Sequence, residues 1–174
     1  MASILKVNTI QDATNSNTAM TIDSSGRVTR GVIPSWRLGK TAQQDFTATS
    51  GTLTWNAESG NANFIKGGVT NNSSTGKVTV PVAGIYMVGS TVRVDGATSG
   101  NYILMRIIKN DVTADVKDQY YSLVDDQTTV YGSISMSGIY DCSANDTLRV
   151  DITAQSDTSW HASDHSYFWG YLVG

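Results

Sequence analysis

Short stretches of alternating apolar and polar residues, each closed by a cluster of turn-forming residues, run through most of this chain. Val78, Val80 and Val82 alternate with Lys77 and Thr79, and Leu148, Val150 and Ile152 alternate with Arg149 and Asp151. Val88, Val92 and Val94 form a third set, with Arg93 between the last two. A period of two gives a strand one wet face and one buried face. Ile134 and Met136 alternate with Ser135 and Ser137 until Gly138 takes the next apolar position and Ile139 falls out of phase, a break that predicts a bulge or bend. The run from Tyr102 to Ile108 is nearly all apolar and reads as a strand buried on both faces, by a second sheet or by another subunit. Turns are predicted at Thr49-Ser50-Gly51, 71–76, 95–100, Lys109-Asn110-Asp111 and 143–146. Apolar spacing of three and four is missing, and Glu58 is the single glutamate. The pattern predicts an all-β protein, an antiparallel β-sandwich of the jelly-roll type.

Residues 1–34 follow a different pattern. They hold two short apolar runs, Ile4-Leu5-Lys6-Val7 and Met20-Thr21-Ile22, a turn at Asp23-Ser24-Ser25-Gly26, and a linker Gly31-Val32-Ile33-Pro34. So little sequence cannot bury a core of its own. The organisation expected is an arm and linker over 1–34 and a head over 35–174. The arm either adds strands to the head or lies on a partner through Ile4, Leu5, Val7, Ile10, Met20, Ile22 and Val28.

Composition narrows the function. The 174 residues carry 12 Lys+Arg against 15 Asp+Glu, with the basic residues scattered, so the clustered cations that grip phosphates are missing and no nucleic-acid partner is expected. No apolar run is long enough to span a bilayer, and the first residues lack a basic segment followed by a long apolar one, so neither membrane insertion nor a secretory signal is expected. Cys142 is the one cysteine and can form no intrachain disulfide, which suits a reducing compartment.

Four segments in order carry a family resemblance: Thr75-Gly76-Lys77-Val78-Thr79-Val80-Pro81-Val82-Ala83-Gly84-Ile85-Tyr86; Leu104 to Asn110; Asp141 to Ile152, with Asn145-Asp146 where a Gly-Asp hairpin is usual; and Tyr167-Phe168-Trp169-Gly170-Tyr171-Leu172-Val173. From Ser35 onward the chain resembles the globular head of the complement C1q and tumour-necrosis-factor superfamily. The resemblance implies a ten-stranded jelly roll that forms a homotrimer with its aromatic last strand near the three-fold axis. The chain's aromatics exceed what one small sandwich must bury, which points the same way. Tyr86, Tyr167, Phe168, Trp169 and Tyr171 are the expected trimer-interface residues.

The arm, Ser3 to Gln11 followed by Ala19 to Val28, resembles the amino-terminal segment of tailed-phage virion proteins. That implies a non-enzymatic structural protein on the virion surface, assembled in the host cytoplasm, whose partners are itself and the major capsid or tail proteins. Two roles follow: capsid decoration or cement, and a short tail-fibre knob or adhesin that binds a host-surface receptor or glycan. A fibre needs a shaft between anchor and knob, and only Gly31 to Pro34 intervenes here, which favours decoration.

Candidate chemistry is sparse. His161 and His165 with Asp164 between invite a zinc reading, but no cysteine lies nearby in sequence and the context is loop or strand. Asp115, Asp118, Asp125 and Asp126 surround Tyr120-Tyr121 and have the ligand chemistry of calcium, without matching a calcium motif. No nucleophile elbow, phosphate loop or dinucleotide fingerprint is present, so catalysis, metals and cofactors are not expected. Flat aromatics suit sugar faces, and Trp160, in a polar stretch, joins Tyr120 and Tyr121 as a candidate receptor contact.

Overall fold

The structure, a computed structural model, describes residues 7–11, 18–60, 62–97, 102–112, 119–123 and 131–174, with only the backbone described for 18–19, 29–30, 119–123 and 131. The chain divides into two compact units, Met1–Ile33 and Pro34–Gly174.

In the first unit β1 (Thr9–Gln11), β2 (Thr18–Ile22) and β3 (Val28–Arg30) form an antiparallel sheet in the order β1-β2-β3. The turn before β3 is built around Asp23, whose Oδ1 accepts from the amides of Ser25 and Arg27 while Gly26 takes a left-handed φ of 76°. Ile10 pairs with Met20 and Ile22 with Val28, which places these four side chains on one face. Ile10, Ile22 and Val28 remain 48%, 37% and 54% exposed, because three short strands offer no second layer to cover them. Ile4 and Leu5 lie outside the described residues, and Val7 is partly buried.

Among the described residues, thirteen strands follow in the second unit: β4 (Ser35–Gly39), β5 (Gln44–Phe46), β6 (Ser50–Thr52), β7 (Phe64–Lys66), β8 (Thr70–Asn72), β9 (Lys77–Thr79), β10 (Gly84–Asp95), β11 (Tyr102–Lys109), β12 (Gln119–Leu123), β13 (Tyr131–Cys142), β14 (Thr147–Ala154), β15 (Trp160–Ala162) and β16 (Tyr167–Leu172). They form two antiparallel sheets packed as a jelly-roll sandwich. One has the order β5-β15-β10-β16-β4-β7 with β13 on the other side of β10, and the second has β12-β11-β14-β9-β8 with β6 on β14. The strand number exceeds the ten expected because several segments are only three residues long.

The alternation read from the sequence sets the core. Tyr86, Val88, Val92 and Val94 of β10 face Leu148, Val150, Ile152 and Ala154 of β14 across an interior filled by Trp36, Trp55 and Phe168. Strand β11 is buried on both faces as expected: Ile103, Met105 and Ile107 enter the core, while Leu104 and Ile108 are buried on the other side. Gly170 is required beneath Trp36, since a Cβ there would sit 2.4 Å from the indole.

Three local expectations are corrected. No bulge interrupts β13, whose register against β10 runs unbroken from Gly84↔Cys142 to Asp95↔Tyr131. Gly138 instead occupies a core-facing position under the Tyr140 ring, and Ile139 keeps its phase on the opposite face. The segment Thr49-Ser50-Gly51 is no simple turn, because Ser50–Thr52 adds to β14 as β6. Val82 follows Pro81, beyond the end of β9, and is 43% exposed. At the β13–β14 hairpin Asn145 takes φ 72°, so an asparagine fills the left-handed position that glycine usually holds. That hairpin is stitched to the β11 end, where Asn110 Oδ1 accepts from the Thr147 amide and Asn110 Nδ2 donates to Asp146 Oδ1, both at 2.8 Å.

Candidate functional site

The face of the seven-stranded sheet that points away from the core carries exposed apolar side chains. Odd-numbered residues of β10, β13 and β16 and of β4 lie on it, and the registers align them in rows: Ser35, Tyr171, Met87 and Ile139, then Arg37, Trp169, Gly89 and Ser137, then Gly39, Tyr167, Thr91 and Ser135. Ile139 is 73% exposed, Tyr171 43% and Ile85 38%, in a region where a solvent-facing strand normally carries polar residues. The aromatics are ordered against this face. The Trp169 indole lies over Gly89, where a Cβ would meet it at 2.4 Å, and stacks on Tyr171 with ring centroids 6.3 Å apart. Tyr171 donates its hydroxyl to Met87 Sδ, and the Arg37 guanidinium sits 4.7 Å above the Tyr167 ring.

Three of the expected contact residues are elsewhere. Tyr86 and Phe168 are fully buried in the core, Tyr86 donating its hydroxyl to the Val82 carbonyl, because their even positions on β10 and β16 point inward. Of the expected interface set, Tyr167, Trp169 and Tyr171 are the members on the outward face. Trp160 is also no surface contact. It is 2% exposed on β15, stacks on Phe46 at 4.2 Å and donates Nε1–H to the Ala48 carbonyl. The side chains of Tyr120 and Tyr121, and Asp115, Asp118, Asp125 and Asp126, lie outside the described residues. Ile85, Met87 and Ile139 were missed by the sequence reading. The signal for Ile139 was the phase break at Gly138-Ile139, whose meaning is an apolar residue on the outer face.

Among the described residues, the Ser163, Asp164 and His165 side chains come together without the geometry of a nucleophile relay. Ser163 Oγ lies 3.2 Å from His165 Nδ1, and Asp164 Oδ1 lies 2.7 Å from the same nitrogen. In a nucleophile relay the serine and the carboxylate engage opposite ring nitrogens, so this cluster is a turn clasp. His161, on β15, points to Asp95, with Nε2 3.6 Å from Oδ2, and among the described residues no three His, Cys, Asp or Glu come together to hold a metal. Cys142 is buried, and burial pushes its thiol up to about 11, which makes it inert near neutrality. Among the described residues the most perturbed amine is Lys40, whose Nζ donates to Gln44 Oε1 at 2.7 Å and to the Thr54 carbonyl at 2.6 Å, over the Trp55 ring. Burial lowers it to about 8.

The head is thus an antiparallel jelly roll with apolar side chains on its outer sheet face. Residues 53–173 match the TNF (Tumour Necrosis Factor) family, and the chain belongs to that family. The family's fold is non-enzymatic and cytokine-like, and its members form homotrimers. No curated protein matches the chain.

Proposed function

We propose that this chain is a homotrimeric, non-enzymatic structural head displayed on a phage virion, assembled in the host cytoplasm and held to the particle by its amino-terminal arm, as a capsid decoration or cement protein. The observation that carries the self-association is the outward sheet face, where Ile139, Met87, Tyr171 and Trp169 expose apolar surface on strands that are otherwise well ordered in pairing and register. A patch of this kind marks an interaction surface, and the family's trimers supply the symmetry.

Attachment falls to the arm, whose resemblance to phage virion segments is joined by a sheet with Ile10, Ile22 and Val28 exposed together on one face. Three arms per head add their separate weak contacts through a high local concentration. Binding the assembled shell in preference to its free subunits stabilises the shell by mass action. Decoration is favoured over a tail-fibre knob because only Gly31 to Pro34 links the arm strands to the head, leaving no shaft. The burial of Trp160 also removes one of the contacts that a glycan-binding knob would use. Immunogold labelling of intact particles with antibody to the head tests the reading. Gold spread over the icosahedral shell is expected; gold confined to the tail would make the protein a fibre knob, and unlabelled particles would overturn the virion role.

A further inference from the structure

The chain enters the head at the row that carries its most exposed apolar side chain, Ile139. The Pro34 carbonyl accepts from the Leu172 amide at 2.9 Å, and Ser35 pairs with Tyr171, which stands beside Met87 and, across β10, Ile139. Before that point Val32 and Ile33 are 68% and 50% exposed, and Ile10, Ile22 and Val28 are exposed together on one face of the arm sheet. Exposed apolar positions thus continue from β3 through the linker to the row that reads as the subunit contact. The registers give the arm sheet two unlike faces: Ile10, Met20, Ile22 and Val28 on one, Thr9 and Thr21 on the other. Arg30 holds the register position opposite Met20, at the corner of the sheet next to the linker. A sheet with one apolar face buries it against a second layer, and among the described residues the first unit is this single layer.

We propose that in the free assembly the three arm sheets cover their apolar faces with one another, and that attachment to the particle exchanges this cover for the particle's surface. This rests on reading the chain as a trimer joined through the outward face. With the Ser35, Tyr171, Met87 and Ile139 row in that contact, the linkers leave the heads where copies meet. Gly31 to Pro34 can span at most about 14 Å, so each arm stays close to its neighbours. Tethers this short raise the local concentration of one arm around another to about the millimolar range. A second copy of the arm also fits by chemistry, since Ile10, Met20, Ile22 and Val28 carry no charge that would need an opposite partner, while the threonine face stays in water. Covered in this way, the arms of one assembly do not adhere to those of another before docking.

The test uses the full chain with single cysteines at Ile10→Cys, Ile22→Cys and Val28→Cys on the apolar face and Thr9→Cys on the other, oxidised with glutathione disulfide and run on a non-reducing gel. Cys142 does not compete, being buried with its thiol held up at about 11. At least one apolar-face variant should link; three cysteines allow one disulfide per trimer, so about two thirds of its chains should run as a two-chain species. The yield should hold over an about hundredfold dilution, as a link within one assembly does. Thr9→Cys should stay as single chains. Linked protein should fail to join particles and should recover on reduction. Assemblies of three-chain mass in which no apolar-face cysteine links, or in which Thr9→Cys links as readily, overturn this proposal alone. Linked protein that joins particles as well as the reduced protein does overturns the exchange. A one-chain mass for wild type overturns the trimer reading beneath it.

Discussion

Lys40 offers a perturbation whose sign and size follow from the structure. Its ammonium is held by Gln44 Oε1, the Thr54 carbonyl and the Trp55 ring, three partners without a negative charge, and burial lowers it to about 8 from an ordinary 10.5. The folded amine therefore gives up its proton more readily than the unfolded one. Between about pH 8 and 10.5 the unfolded chain binds the proton that the folded chain has lost, so stability rises with pH across that window, and below pH 8 the cost of the buried charge is fully present. Linkage between about pH 7.5 and 9.5 gives a gain of about 2 kcal/mol, or about 1 to 2 kcal/mol once solvent screening around the side chain is allowed for. In urea that corresponds to a midpoint higher by about 0.5 to 1 M. Cys142 opposes this, because a thiol held up at about 11 in the fold ionises earlier in the unfolded chain and lowers stability as pH rises. The quantity to measure is thus the difference in pH slope between wild type and Lys40→Met, in which Cys142 cancels. Equal slopes in the two proteins would refute the reasoning, since the lysine would then be solvated as well in the fold as outside it.

Trp160→Ala removes the partner of the Phe46 ring and the donor to Ala48, and should cost about 3 to 5 kcal/mol in equilibrium unfolding, as a core residue does and a receptor contact does not. A chain that starts at Ser35 should keep the head's oligomeric state, read by its mass in solution, yet fail to join particles assembled in its presence; normal incorporation would remove the arm from the attachment role.

The parts of the fold legible in the sequence are those where alternation persists long enough to set a phase. On β14, Leu148, Val150 and Ile152 are all inside and Arg149 outside, as the pattern required. Strands of three residues, such as β5 and β15, are too short to show a period; β15 pairs with the end of the long β10, and β5 in turn pairs with β15. Trp160 shows the consequence: serines and aspartates around it read as an exposed loop, while the pairing of β15 between β5 and β10 turns the indole inward. Along β16 the run Tyr-Phe-Trp-Gly-Tyr-Leu puts large apolar groups on both faces, so aromatic content alone could not separate Phe168 in the core from Trp169 and Tyr171 outside. The break at Gly138-Ile139 was visible but has two physical meanings, an inserted residue or an apolar residue on the outer face, and only the unbroken register against β10 decides between them.

The outward sheet face as a subunit contact is the claim on which the rest depends, and the solution mass of the wild-type chain beside Ile139→Asp tests it most directly. Ile139 is 73% exposed in the single chain, so the aspartate is harmless to the fold of one head but buries a charge wherever that face is covered by another copy. The account predicts a three-chain mass for wild type and a one-chain mass for Ile139→Asp with an unchanged circular dichroism spectrum. A monomeric wild type, or an Ile139→Asp variant that remains fully trimeric, would contradict it.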